Sequence, residues 1–245
     1  MRTDSRGPYE LRPVAIEPGF LSYPEGSCLV TFGNTRVLCS AMVEDRVPHF
    51  MKGTGQGWIT AEYGMIPGAT QQRGSREAST GRPSGRTQEI QRLIGRSLRT
   101  VVNLADFADR TLWVDCDVLQ ADGGTRTAAI TGAFCAMAMA FDHLASAKII
   151  KAYPVRNQVA AISVGIVRGE KILDLKYDED SIADVDMNVV MCTDGRFIEV
   201  QGTAEKEPFS KSDLDAMLAV AAQGIDQLFV AQRKALPFDL GKYGI

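Results

Sequence analysis

The residues best able to do chemistry fall in three short stretches. Residues 177–188, YDEDSIADVDMN, hold Asp178, Glu179, Asp180, Asp184 and Asp186. Carboxylates this dense repel one another unless a cation or arginines neutralise them, and hard oxygen ligands suit Mg2+ carried beside a phosphate. An acidic turn between strands is the plainer alternative. Asp184 and Asp186, however, straddle the start of an apolar strand, where residues two apart share a face. A carboxylate pair placed there is held by the strand. Residues 118–127, VLQADGGTRT, run from strand to glycine turn to helix start. That order exposes free backbone N–H groups at the positive end of a helix dipole, with the Thr125 hydroxyl and the Arg126 guanidinium beside them, and so makes an anion pocket. A common structural turn is the competing reading. The lysine and glycine spacing of nucleotide-binding loops are missing, so ATP is not implied.

The third stretch carries positive charge. Residues 68–99 contain Arg73, Arg76, Arg82, Arg86, Arg92, Arg96 and Arg99, with only Glu77 and Glu89 to oppose them, in a chain of net charge −3. A guanidinium is a rigid fork that grips phosphate oxygens in pairs, whereas lysine offers a mobile point charge. A solvated basic loop is again the alternative. Arginines, a helix-start anion site and a carboxylate cluster together meet the needs of phosphoryl transfer, which depends on positioning and charge neutralisation more than on a nucleophilic side chain. The two histidines, His49 and His143, leave little scope for a histidine triad or a zinc site.

A chain of 245 residues, 45% hydrophobic and 23% charged, has the composition of a globular protein and is long enough for one large domain or two half-size units with a real core. A pI near 5.5 excludes a generic nucleic-acid coat protein, because non-specific binding rests on distributed positive charge. Neither a signal-peptide core nor a run of roughly 18 apolar residues is evident in the sequence, so a cytoplasmic protein without a membrane partner is expected. Cys28, Cys39, Cys116, Cys135 and Cys192 are odd in number, scattered and without a CxxC pair, as expected of reduced core residues.

Elements must position these stretches. Residues 26–43 alternate around Gly33 and Asn34, a dipeptide that accepts positive φ, and predict a hairpin. Residues 58–65 predict a strand, and residues 67–86, with little to bury, a mobile loop. A helix follows over 87–104 with Thr87 as N-cap and Ile90, Leu93, Ile94, Leu98, Val101 and Val102 on one face. Its Arg92, Arg96 and Arg99 form a like-charged stripe that calls for an anion or for acids on a neighbouring element. Residues 111–120 alternate as a strand, and the helix over 125–147 is apolar almost all round, hence buried between layers. Strands at 159–167, 172–175, 187–192 and 197–201 precede a helix over 210–233, opened by Ser210 and Asp213 in a capping-box-like start. The expected architecture is α+β: two similar strand-then-helix lobes, residues 1–150 and 151–245, sharing one core.

Read in order, RTDSR near the start, GSCLVTFGNTRVLCSA, GRTQEIQRLIGRSLR, DVLQADGGTRTAAITGA, YDEDSIADVDMNVVM and EVQGTAEKEPFS closely resemble the ribonuclease PH family over nearly the whole chain. Relatives of that family include polynucleotide phosphorylase and the exosome ring subunits. The resemblance implies lobes like ribosomal protein S5 domain 2, a hexameric ring built as a trimer of dimers, and RNA as partner, with tRNA precursors foremost and rRNA besides. It implies a phosphate-dependent 3′-to-5′ exoribonuclease that releases nucleoside diphosphates. Inorganic phosphate as co-substrate falls to Arg86, Gly124, Thr125 and Arg126. The pattern Y-x-E-D followed by D-M-N maps to Asp180 and Asp186 as the catalytic, Mg2+-associated pair. Asp178 and Asp184 have the same six-residue separation and stay open as an alternative register. Arg73 and Arg76 match loop arginines that bind tRNA, while Gly68 stands where some relatives carry another arginine. Arg92, Arg96 and Arg99 are assigned to RNA, with subunit contact as their alternative. The rival functions are a non-catalytic RNA-binding ring subunit and a hydrolytic metal-dependent exonuclease.

Overall fold

The computed structural model describes residues 2–245. Strands β1 (Val14–Pro18), β2 (Gly26–Phe32), β3 (Thr35–Glu44), β4 (Trp58–Met65) and β5 (Thr111–Gln120) form one sheet in the order β1-β2-β3-β5-β4. Strands β6 (Val159–Val167), β7 (Glu170–Leu173), β8 (Val185–Cys192) and β9 (Phe197–Ala204) form a second, ordered β7-β6-β8-β9. Helices α1 (Gly85–Thr100), α2 (Thr125–Ser146), the single turn α3 (Tyr177–Asp180) and α4 (Lys211–Ala235) complete the chain.

The expected hairpin joins β2 to β3 and closes at Phe32 opposite Thr35, with Gly33 at φ +56° supplying the left-handed residue. Period-2 alternation sends Cys28, Val30, Phe32, Val37, Cys39 and Ala41 inward. Strands β4 and β5 run parallel, a pairing that requires a crossover, and α1 is the crossover helix, packed on β4. Helix α2 has no polar face because it needs none. It touches β2, β3 and β5 of one sheet and β6 and β8 of the other, and one continuous core serves both lobes.

Several local expectations give way. The N-cap of α1 is Ser84, whose hydroxyl accepts from the Thr87 N–H at 3.1 Å; Thr87 is buried a turn inside and donates to Glu77 Oε1 at 2.8 Å. The helix stops at Thr100, and Val102 instead pairs with Val155 in an isolated bridge. The stretch 67–86 is not loop throughout. Ala69 is buried and its carbonyl accepts from Ala121 at 2.8 Å, while Glu77–Thr80 form a 3-10 turn. Strand β1 forms where no sequence signal marked one, β7 lies two residues ahead of the expected 172–175, and β8 starts at Val185 instead of 187, which brings Asp186 into the ladder. By length and composition α2 and α4 could each cross a membrane, but α2 is buried in the protein core.

Candidate active site

The glycine turn and the acidic turn are built against each other. Gly123 and Gly124 have φ of +77° and +65°, conformations that favour glycine. A Cβ on Gly123 would lie 2.7 Å from the Leu175 carbonyl oxygen and 2.8 Å from the Tyr177 nitrogen. Only a residue without a side chain lets the start of α2 approach the segment leading into α3 this closely. Arginines from residues 2–12 then fasten both. Arg12 donates to both Asp174 carboxylate oxygens, at 3.0 and 2.7 Å, and to the Asp122 carbonyl at 2.5 Å. Arg2 forks onto Glu179 at 2.7 and 2.8 Å and reaches the Asp174 carbonyl at 2.9 Å. All four of these charged side chains are buried, which fits the bidentate geometry that makes burial of charge tolerable.

The outcome is a cavity of about 240 Å³ lined by Arg86, Gly124, Thr125, Arg126, Asp180 and Asp186. Asp180 ends α3, and Asp186 sits on β8 opposite Gly165 of β6 and Thr203 of β9. Burial pushes the Asp180 carboxyl up, against the pull of Arg86 and Arg126. The Asp186 carboxyl is pushed up to about 6, first by burial and then by the charge of Asp180, with Arg126 and Arg86 opposing. Two partly desolvated carboxylates, one of them made costlier to ionise by the charge of the other, are a suitable donor set for a hard cation. Among the described residues no cluster of three or more ligating side chains occurs, so a cation here would take its other ligands from water and phosphate oxygens, as Mg2+ does.

Arg126 donates through Nη1 to Gln201 Oε1 at 2.6 Å and to Glu89 Oε1 at 3.2 Å, and Gln201 in turn donates to Glu89 at 3.0 Å. One nitrogen thus anchors the guanidinium and leaves its other donors for the cavity. Arg86, in the first turn of α1, makes no hydrogen bond or ion pair among the described residues. The alternative acids lie elsewhere. Asp178 is exposed and pairs with Lys176 at 3.3 Å; Asp184 pairs with Lys206 at 2.8 Å and accepts from the Arg168 N–H at 3.1 Å. Asp184 does not share the strand face of Asp186: it occupies the bend before β8, where Lys206 holds its carboxylate, and it does not line the cavity.

The arginine stripe of α1 does not behave as a unit. Arg92 is exposed and unpaired among the described residues, and Arg96 is ion-paired with Glu199. Arg99 lies 4.3 Å over the Trp58 ring and donates to the Ile59 carbonyl at 2.7 Å, so its guanidinium is engaged within the fold. Arg73 and Arg76 are exposed on the loop ahead of α1. A second, larger cavity of about 510 Å³ lies beneath that loop, lined by Arg76 and Arg82 above and Glu62, Asp115 and Asp117 below. Burial pushes the Asp115 and Asp117 carboxyls up. An acidic floor without an anion-binding turn is the wrong chemistry for two phosphates, and the smaller cavity is the candidate site.

Sequence reasoning passed over Ser163, Asn188, Gln201 and Tyr63. Ser163 and Asn188 are opposite one another on β6 and β8 and line the cavity on the same face as Asp186. Period 2 counted forward from Asp186 was the available signal for Asn188. Nothing local marks Gln201 or Tyr63, whose partners lie 75 and 62 residues away.

The 3′ exoribonuclease family, domain 1, matches residues 10–141, and domain 2 of that family matches residues 157–224. Ribonuclease PH of Syntrophomonas wolfei is 57% identical over 235 residues, 96% of this chain and 98% of that one. Ribonuclease PH of Bacillus subtilis is 57% identical over 237 residues, 96% and 97% of the two chains. Among solved structures, rice (Oryza sativa) Rrp46 gives a TM-score of 0.78 at 20% identity, covering 95% of this chain and 98% of that one. The Archaeoglobus fulgidus exosome with RNA bound to the active site gives 0.77 at 22% identity, covering 93% and 91%. At these identities the structures speak for the fold, two α+β lobes of the ribosomal protein S5 domain 2 kind. Both domain matches and the identity along almost the full length lead to one conclusion: the chain belongs to the 3′ exoribonuclease family, together with ribonuclease PH.

Proposed function

We infer that this protein shortens RNA from its 3′ end by phosphorolysis, removing terminal nucleotides of tRNA precursors with inorganic phosphate and releasing nucleoside diphosphates. The observation that carries the reading is the single cavity in which Arg86, Arg126 and the start of α2 face Asp180 and Asp186. Cations and helix N–H groups on one wall hold the attacking phosphate; carboxylates on the other adjoin the scissile one.

Two anions must meet, and Arg86 and Arg126 neutralise the nucleophile so that an oxygen of hydrogen phosphate can approach the last phosphodiester in line with its 3′ oxygen. The new phosphorus–oxygen bond makes the β-phosphate of the released diphosphate, and the bond to the 3′ oxygen breaks. That oxygen needs a proton, and the attacking hydrogen phosphate has one to lose. A carboxyl with its pKa near 6, as Asp186 has, is suited to relay it at neutral pH. Asp180 and Asp186 are the residues that would hold Mg2+, which when bound supplies positive charge at the scissile phosphate.

Arg73, Arg76 and Arg92 are exposed, and we assign them to the body of the RNA; Arg96 and Arg99 serve the fold first. The assembled form we propose is a hexameric ring, for which Trp113, Met42 and Phe50, exposed on or beside the first sheet, offer apolar contact surface. Five free cysteines favour a reducing compartment, in keeping with a cytoplasmic enzyme that processes tRNA and rRNA.

The assignment of roles within the cavity is tested by Asp180→Asn and Asp186→Asn. Each is expected to cut turnover of a 3′-extended RNA by at least about 100-fold, in the range for a lost acid–base or charge-stabilising group. Phosphate binding to the free protein, measured by calorimetry, is expected to persist. Unchanged turnover in both variants would remove these aspartates from the chemistry.

A further inference from the structure

We propose that Tyr63 is a positioning residue for the attacking phosphate: by donating to Thr125 Oγ1 it turns the Thr125 proton toward the anion in the cavity. The inference rests on the phosphate reading of that cavity.

Tyr63 sits on the buried face of β4, paired with Cys116 in the parallel ladder to β5, and is 5% exposed. Its hydroxyl is 2.8 Å from Thr125 Oγ1. Burial raises the phenol pKa, with the Thr125 contact and the charges of Arg86 and Arg126 opposing, so the group is a neutral phenol at physiological pH. A buried hydroxyl proton needs an acceptor, and among the described residues Thr125 Oγ1 is the one within reach. Tyr63 must therefore donate.

This fixes the other hydroxyl. Thr125 has one donor and two acceptor positions. With the phenol occupying an acceptor position, its own hydrogen cannot point back along that line. No acceptor for it occurs among the described residues, and Thr125 opens into the cavity. Left to itself a threonine hydroxyl in the first helical turn rotates and can present a lone pair or a proton. An anion needs the proton. Tyr63 settles the rotor in the donating sense, adding a directed hydrogen bond to the charges of Arg86 and Arg126 and to the N–H groups of α2.

The test is a double-mutant cycle with Tyr63→Phe and Thr125→Ala, separately and together. Phosphorolysis of a 3′-extended RNA is followed in Mg2+ while phosphate and RNA are varied in turn. Tyr63→Phe keeps the ring and removes one oxygen. It is expected to raise the phosphate KM roughly 3- to 10-fold, the worth of one ordinary hydrogen bond, leaving the RNA KM and kcat within about twofold. In the Thr125→Ala background the same change should add less than about twofold to the phosphate KM, because the two residues act as one unit. An equal multiplication in both backgrounds, an equal rise in the RNA KM, or a lower melting temperature with unchanged phosphate KM would each overturn the proposal. If Thr125→Ala alone leaves the phosphate KM unchanged, the phosphate role of Thr125 falls, and the role of Tyr63 with it.

Discussion

Asp186 shows what the chemistry costs the fold. Its carboxyl is pushed up to about 6 from an ordinary value near 3.8, by burial and by Asp180. The folded protein therefore holds this proton more tightly than the unfolded chain does. Between the two values stability falls as pH rises, and above about 6 the whole penalty is present. Asparagine carries no charge at any pH. In Mg2+-free solution Asp186→Asn should accordingly melt above the parent at pH 8, by roughly 2–4 °C for each kcal/mol recovered at this chain length. The margin should shrink as pH falls through 6 toward 4. A variant that melts below the parent at pH 8, or whose margin is the same at both ends, would mean that the carboxyl is not strained in the fold. The residues of this site were legible in sequence in proportion to how local their cause is. Thr125 and Arg126 follow a glycine turn and declare themselves, whereas Gln201, which anchors Arg126, sits on a strand with no signal of its own. Asp184 and Asp186 looked equivalent by spacing, and Lys206, 22 residues from Asp184, separates them.

At the scale of elements, the site depends on two turns from different lobes staying in contact, and neither turn is long enough to ensure that alone. Helix α3 is a single turn, and the glycine turn has no side chain to wedge it. Residues 2–12, which form no helix or strand, bind the pair through Arg2 and Arg12. Removing Arg12 leaves Asp174 fully buried with the weaker Arg6 contact at 3.3 Å and its backbone N–H partner. Arg12→Ala is thus expected to destabilise by about 3–5 kcal/mol, the usual result of breaking a buried pair from one side. Thermal unfolding should register it as a fall of more than about 6 °C, and an unaltered melting temperature would contradict this account of the N-terminal segment. Strand and helix identities were largely legible because hydrophobic period reports which side of an element is buried. Boundaries were not: Ser84 rather than Thr87 caps α1, and the Thr87 hydroxyl is taken by Glu77, ten residues back in the 3-10 turn Glu77–Thr80. A strap such as residues 2–12 has no period to read.

Across the whole molecule, charge is sorted by place. The chain is acidic overall, yet seven guanidinium groups fall on the loop before α1 and along α1, and Arg126 at the start of α2 faces the carboxylates of Asp180 and Asp186 across one cavity. Helix α2 makes that arrangement possible, because its apolar body is shared by both sheets while its N-terminus faces the second lobe. The two-lobe plan was visible in sequence as strands followed by a long apolar helix, but the parallel β4–β5 pair was not, since pairing direction is set by the crossover and leaves no mark on either strand. The central claim is that this cavity binds phosphate as the nucleophile, so that water is not the attacking species. It is tested most directly by incubating the protein with Mg2+ and a 3′-extended RNA, with and without inorganic phosphate, and identifying the released mononucleotides. The account predicts nucleoside diphosphates that appear only when phosphate is present; nucleoside monophosphates released at the same rate in its absence would contradict it.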